Sequence, residues 1–373
     1  MKNIIKTLIV MLTSVSLFGL ANAGEVGVSG TAKATYNIES GGINAGKGLG
    51  ITNELNFTAS GETDAGYTWS YSMELDPGAT SAASETTGTN TQSAQNDDTK
   101  LTLTTPYGTV GVFISEGGLD VEDAASQSAY SRPTDMGGSD GTVDNFTIDA
   151  YNNVQYHTPA DLIPFGGSFK IAHATDLDAY GSGNNAGGTG QGADGIGIDG
   201  YVGRSATEMQ VTFDAIPMAD GLKVGASYFE FDEQGADGAK IDATAESGAY
   251  YATYSIGNVS LGYSKGFKQL LVSDNANGGS PGTLVDHYDQ TNQSIAYAVN
   301  DDLTISYERE ESKAAYLDDT NNADVTQKST GIQLAYNLGG MTLAVSRNSH
   351  VNPSYSETAT DIDQTLFALT MAF

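Results

Sequence analysis

Thr109-Val-Gly-Val-Phe-Ile-Ser115 and Ile148-Asp-Ala-Tyr-Asn-Asn-Val-Gln-Tyr-His157 bracket the most informative stretch of this chain. In the first, Val110, Val112 and Ile114 recur at every second residue, the spacing of one face of a β-strand. The second reads as the return strand. Residues 116–147 between them are too long and too polar for an ordinary hairpin. They hold Glu116, Asp120, Glu122, Asp123, Asp135, Asp140 and Asp144 against a single Arg132. A connection of that length usually has a function or is disordered. What it does depends on the strands around it.

Those strands alternate. Val26, Val28, Ala32, Ala34, Tyr36 and Ile38 share one face, and Ser29, Thr31, Lys33, Thr35 and Asn37 the other. Ile51, Leu55 and Phe57 oppose Thr52, Glu54, Asn56 and Thr58. The cleanest case sets Tyr67, Trp69, Tyr71, Met73 and Leu75 against Thr68, Ser70, Ser72, Glu74 and Asp76. Period-two patterning over this length means strands with one apolar and one polar face. Further candidates lie at 99–105, 109–115, 148–157, 168–176, 205–215, 222–231, 247–256, 259–268, 289–299, 303–312, 328–338, 341–348 and 362–373, about 16 strands in all. No long segment has helical periodicity, and the prolines fall between the proposed strands, as a sheet ladder requires.

The connections take turns. Residues 61–66, 106–108, 216–221, 257–258, 300–302 and 339–340 are short, and 158–167 is somewhat longer. Residues 39–50, 77–98, 116–147, 177–204, 232–246, 269–288, 313–327 and 349–361 are long and polar. Long loops on one end and short turns on the other are the habit of an outer-membrane barrel. Such a sheet must close, because an unpaired backbone amide in hydrocarbon costs several kcal/mol. At this strand number side chains cannot fill the interior, so water does, and the polar faces need no buried partners. The expected fold is therefore all-β, a transmembrane antiparallel β-barrel. Its long third loop, residues 116–147, is expected to fold into the pore and narrow it.

Composition agrees. Residues 1–23 read as a signal peptide: basic Met1–Lys6, a largely apolar Thr7–Leu20, then Ala21-Asn-Ala23 as a small-residue cleavage site. The barrel is then residues 24–373, with no other run near the roughly 18–20 apolar residues of a membrane helix. Absence of cysteine removes disulfides, thiolate nucleophiles and thiolate metal sites. A net charge of −30, more negative still once Lys2 and Lys6 leave, argues against nucleic acid as a partner. The hydropathy is that of a soluble protein, as in a barrel whose lipid-facing and lumen-facing residues cancel. Tyr36, Tyr67, Tyr71, Tyr228, Tyr263 and Tyr336 suit aromatic girdles.

The order of several motifs resembles that of Gram-negative general porins, closest to the trimeric sixteen-stranded type of alphaproteobacteria. The resemblance rests on Glu25-Val-Gly-Val-Ser-Gly30 and on Leu55-Asn-Phe-Thr-Ala-Ser-Gly-Glu-Thr-Asp-Ala-Gly-Tyr67. Tyr107-Gly-Thr-Val-Gly-Val112 before the acidic loop and a terminal Phe373 complete it. It is firm over residues 24–150 and at the C-terminus, and loose between. It implies a homotrimer in the outer membrane of a Gram-negative bacterium, in contact with its lipid, passing small hydrophilic solutes and ions by passive diffusion. It also implies recognition of Phe373 by the barrel assembly machinery. Porins of this kind set loop carboxylates across from basic wall residues. By strand parity the basic candidates are Lys33, Lys100, Lys170 and Lys223; the scarcity of arginine departs from the family pattern.

Acidic rings favour cations, so Glu116, Asp120, Glu122 and Asp123 are the expected pore constriction, with cation preference. As oxygen ligands, the same four are candidates for calcium, although diffusion requires no cofactor. Asp176-Leu-Asp178 begins like a calcium loop, but Gly187 stands where the bidentate Glu belongs. Gly181-Ser-Gly-Asn-Asn-Ala186 meets a dinucleotide pattern only formally, without a strand-to-helix context. His157, His173, His287 and His350 show no hydrolase or metalloprotease spacing, so no enzyme is expected. The alternative is a secreted or surface β-rich adhesin or structural protein, which explains the long Gly/Asn/Thr loops but has no need for Phe373 or for loops that alternate in length.

Overall fold

The computed structural model describes residues 26–42, 45–77, 94–135, 144–175, 205–217, 219–232, 241–270, 272–273, 285–317 and 323–373. The leader read at 1–23 and the two loop motifs at 176–187 lie outside them. Alternating residues build β1 (Val26–Ser40), β2 (Gly46–Glu62), β3 (Thr68–Pro77), β4 (Ala94–Thr105), β5 (Gly108–Ile114), β6 (Asn153–His157), β7 (Gly167–Ala174), β8 (Ser205–Phe213) and β9 (Leu222–Asp232). After the short β10 (Ile241–Ala243) come β11 (Glu246–Ile256) and β12 (Val259–Gln269). Beyond β13 (Val272–Ser273) come β14 (Val285–Ala298), β15 (Leu303–Tyr316), β16 (Val325–Asn337), β17 (Met341–Val351) and β18 (Ile362–Ala372).

Sixteen of these strands close into one antiparallel barrel, each bonded to its neighbour in sequence, with β18 returning to β1. β10 and β13, in connections read as loops, pair only with each other. Closure runs in register from Thr31 opposite Ala372 to Ser40 opposite Asp363. At the end of the chain the Phe373 N–H donates to the Gly30 carbonyl at 3.0 Å, and the Gly30 N–H donates to the Phe373 carbonyl at 2.9 Å. Among the described residues no helix is long and apolar enough to cross a membrane.

The two faces are of opposite character. On β15, Ile305 and Tyr307 are 41% and 42% exposed, whereas Ser306, Glu308 and Glu310 are 3%, 0% and 4% exposed. The apolar residues face outward, and the polar ones face the bore. Ile148 and its neighbours depart from the sequence reading: the strand begins at Asn153, and Ile148–Ala150 make a 3-10 turn. The reason is packing. Ile148 is wholly buried in an apolar cluster with Leu119, Phe146, Tyr151, Phe229 and Phe231 inside the barrel.

Gly30 is the tight point of closure. A Cβ there would meet the Phe373 ring at 2.8 Å and the Glu54 carbonyl oxygen at 2.7 Å. Gly30→Val is expected to destabilise the barrel by roughly 1–3 kcal/mol. The check is the temperature at which the folded form converts to the unfolded one on electrophoresis; an unchanged transition refutes this account of closure.

Candidate pore constriction

The chain leaves β5 through two left-handed residues, Ser115 (φ 52°) and Gly117 (φ 84°). Gly117 is needed at that bend, since a Cβ would lie 2.5 Å from Gln155 Nε2 and 2.6 Å from the Phe113 ring. Residues 116–135 and 144–151 then run along the inner wall. Their backbone polar groups, which a strand would have paired, are taken up by wall side chains. The Leu119 and Ile148 N–H groups donate to Glu208 Oε2 on β8 at 3.2 and 2.9 Å. Val121 N–H donates to Ser227 Oγ on β9 at 3.1 Å, and Phe146 N–H to Ser247 Oγ on β11 at 3.0 Å. Ser264 Oγ on β12 donates to the Glu122 carbonyl and Ser294 Oγ on β14 to the Ala125 carbonyl, both at 2.6 Å. Ala129 N–H reaches Ser306 Oγ on β15 at 2.8 Å, and Tyr130 N–H reaches Gln333 Oε1 on β16 at 2.9 Å. Seven strands thus hold the segment through side chains, as buried backbone groups demand.

Packing reinforces this. Phe146 stands edge-on to Phe231 with ring centroids 5.1 Å apart, and Phe229 to Phe231 at 4.9 Å. Lys268 Nζ lies 4.3 Å from the Phe146 centroid, a cation–π contact. Wall glycines make room on the other flank: a Cβ on Gly262 would fall 1.7 Å from the Ala125 carbonyl oxygen, and one on Gly331 would fall 2.9 Å from Pro133 Cγ.

At the centre lies Arg132, its side chain 12% exposed. It pairs with Asp123, with Asp135 at 2.9 Å, with Asp144 at 3.5 Å and with Glu310 on β15 at 3.4 Å. A cavity of about 30 Å³ beside it is lined by Glu122, Asp123, Asp144, Asn292 and Glu310. Burial alone would lower the guanidinium's pKa, but the surrounding carboxylates, Asp123 foremost, raise it, so it stays charged.

The four expected loop acids occupy three different settings. Glu116 is ion-paired with Lys100 on β4. Asp120 accepts from Ser227 Oγ at 3.1 Å and Asn145 Nδ2 at 3.3 Å, and burial raises its pKa. Glu122 is buried and accepts from the Asn145 N–H at 2.9 Å, while its Oε2 meets no donor. Burial first, and then the charges of Asp120, Asp123 and Asp144, push it well above the usual carboxylate range. Asp123 keeps half its side chain open, yet desolvation brings it to about 7 against the pull of Arg132. The four do not converge into a calcium cage. Among the described residues no group of three or more His, Asp or Glu is arranged to hold a metal ion.

The register sets Lys33, Lys100, Lys170 and Lys223 on the inward face, Lys33 beside Thr52 and Thr370, Lys170 beside His157 and Gln210, and Lys223 beside Thr253. Among the described residues only Lys100 of these meets a loop carboxylate; the central pairing is reversed, with the cation on the loop and Glu310 on the wall. Sequence reasoning missed Glu208, Glu308 and Glu310. Alternation in Glu308-Arg-Glu-Glu-Ser312 puts Glu308 and Glu310 on the polar face, but parity does not tell which strands the loop covers. His350 Nδ1 lies 2.9 Å from Ser329 Oγ, and both residues are completely buried, closed to any substrate.

A family model described as Gram-negative porin matches residues 7–348. A comparison with curated proteins finds no match. Among solved structures, an anion-selective porin from Comamonas acidovorans aligns with TM-score 0.64 and 12% identity over 94% of this chain and all of that one. OmpF of Salmonella typhi, in complex with daunomycin, aligns with TM-score 0.61 and 14% identity over 95% of this chain and all of its own. The trimer form of OmpT, an outer membrane protein of Vibrio cholerae, gives 0.59 and 13% over 94% and all.

Gly262→Val cannot coexist with the Ala125 carbonyl in its present place. The expected outcome is a loop displaced from β12, read as faster amide hydrogen exchange in residues 119–130 while the strands stay protected. Unchanged exchange there refutes the packing described.

Proposed function

Because the chain belongs to the Gram-negative porin family, an outer-membrane channel for passive diffusion, we propose that it passes small hydrophilic solutes and ions with a preference for cations. One observation carries the sign of that preference. Asp123, Asp135 and Asp144 keep 52%, 45% and 63% of their side chains open, around an Arg132 that is nearly buried. A passing ion meets carboxylates before it meets the guanidinium. Fixed charge in a narrow, low-dielectric passage concentrates counter-ions. The fold does not decide the sign, since the Comamonas neighbour is an anion-selective porin; the residues at the constriction do.

Of the loop acids expected at the constriction, Asp123 is the one that opens to the bore, while Asp120 and Glu122 turn into the wall and hold the loop. Glu116 with Lys100, and inward Lys33, Lys170 and Lys223, form the wall opposite. Movement down a gradient needs no energy source or cofactor. The working assembly is a homotrimer, as in the trimer form of the Vibrio neighbour. Residues 1–23 direct export, and Phe373 at the end of the closing strand is the group that the barrel assembly machinery reads.

In a planar bilayer under a salt gradient, the refolded protein is expected to show a cation-selective reversal potential. Asp123 carries a pKa raised to about 7, so it is neutral below that pH and charged above it. Cation preference should therefore grow as pH rises from about 5.5 to about 8.5. Asp123→Asn should flatten that pH dependence, and combining it with Asp135→Asn and Asp144→Asn should move the reversal potential toward anions. A reversal potential indifferent to all three removes the acidic rim; no conductance from folded protein removes the pore.

A further inference from the structure

The last long connection, residues 352–361, does not stand clear of the barrel. Beyond β17 it makes a 3-10 turn, Pro353–Tyr355, that leads inward across β16. The Tyr355 hydroxyl donates to Ser312 Oγ on β15 at 2.8 Å, and its ring centroid lies 5.0 Å from that of Tyr288 on β14. Both partners face the bore. Ser312 stands opposite Gln290 and Gln327, and all three are buried. Tyr288 stands opposite the buried Ala314 and Lys268. To reach them from β17 the chain must pass over Gln327, inside the barrel. Asn352 ties down the base of the segment. Its Nδ2 donates to the Thr326 carbonyl at 2.9 Å, and its N–H donates to Asp361 Oδ1 at 3.3 Å.

Position gives this contact its meaning. Ser312 lies two residues beyond Glu310 on β15, toward the long-loop end, and Tyr288 lies two residues above Gln290 on β14. Glu310 and Gln290 line the cavity beside Arg132. Tyr355 therefore sits one step above the acids, on the long-loop side of them. The backbone is also held against its preference. Asn352, Ser354 and Tyr355 all have a φ of 53°, the left-handed region that Asn tolerates and Ser and Tyr resist. Such angles persist only where the surroundings over-determine them, and they gather at functional sites. Here the hydroxyl bond, the ring contact and the two Asn352 bonds do so. A mere connection between two strands would relax to ordinary angles.

We propose that residues 352–361 form a strap across the mouth of the bore, and that Tyr355 is its specificity-determining residue. It selects solutes by size before they reach the acids. Resting on the diffusion-pore reading above, this adds a filter that works without charge, since Tyr355, Tyr288 and Ser312 are neutral. Selection in a passive pore comes down to open diameter, to the polar groups along it and to electrostatic barriers. The strap acts on the first, and the open acids below it act on the last.

The test places the full mature chain in liposomes and compares arabinose uptake with sucrose uptake by swelling. Wild type should admit arabinose much faster than sucrose. Tyr355→Ala should raise sucrose uptake several-fold, with arabinose uptake and the reversal potential in a planar bilayer left as they were. Unchanged sucrose uptake by this variant overturns the proposal. A second variant answers for any loss of folding. The chain has no cysteine, so Ser312→Cys with Tyr355→Cys can be bridged uniquely by a short bis-methanethiosulfonate reagent. Before bridging it should behave as Tyr355→Ala does. Bridging should restore the exclusion of sucrose, and dithiothreitol should release it again. Failure of the two cysteines to bridge overturns the contact. An equal effect of the reagent on either single-cysteine variant assigns the exclusion to the reagent's bulk and overturns the strap. Wild-type vesicles that admit no arabinose refute the pore reading itself, a result separate from any failure of Tyr355.

Discussion

Inside the hydrocarbon layer no water solvates a backbone amide, and every other feature of this molecule follows from that requirement. A sheet of sixteen strands satisfies it only by bonding its first strand to its last, and the reciprocal bonds between Gly30 and Phe373 finish the ring. Closure creates an apolar outside and a polar inside. Alternation in the sequence is the imprint of those two faces on a single strand, and it explains why Glu308 and Ile305 can lie three residues apart.

The loop inside the barrel solves the same problem by other means. Residues 116–135 and 144–151 form no ladder, so their amides and carbonyls need partners from elsewhere. Serines on successive strands provide them, each offering a hydroxyl that both donates and accepts, as Ser294 does toward Gln127 and Ala125. Carboxylates act as acceptors at the two ends, Glu208 for the Leu119 and Ile148 N–H groups and Glu310 for that of Thr134. Burying a carboxylate carries a desolvation cost. Here it is offset by two donors to one oxygen, as at Glu208 Oε2, or, at the centre, by a guanidinium shared among four acids. The aromatic cluster around Phe146 adds the ordinary hydrophobic gain on one side of the bore.

Much of this was legible from residues alone, for physical reasons. Lipid outside and water inside impose period two so strongly that sixteen strands could be found, and the terminal Phe373 placed the closing one. The same logic failed at Ile148. A short apolar run beside a strand looks like more strand, and here it packs a loop onto a wall. Asp120 and Glu122 were recognisable as loop acids, but a carboxylate turned into a wall and one open to the bore are written with the same letter. Arg132 stood out by its isolation in an acidic stretch. Its partner Glu310, by contrast, is 178 residues away, and only the closed ring shows that β15 faces the loop.

The loop's partners have a consequence for how the molecule comes to exist. Every wall side chain that holds residues 119–135 is synthesised after them, at separations reaching 203 residues between Tyr130 and Gln333. Contacts of such range form late, because the chain must first give up the entropy of the intervening segment. The loop therefore waits, its backbone groups bonded to water, until β8 to β16 have curved into place. A nascent barrel is an open tube first, and the docking of this loop on its wall is among the last contacts that folding installs.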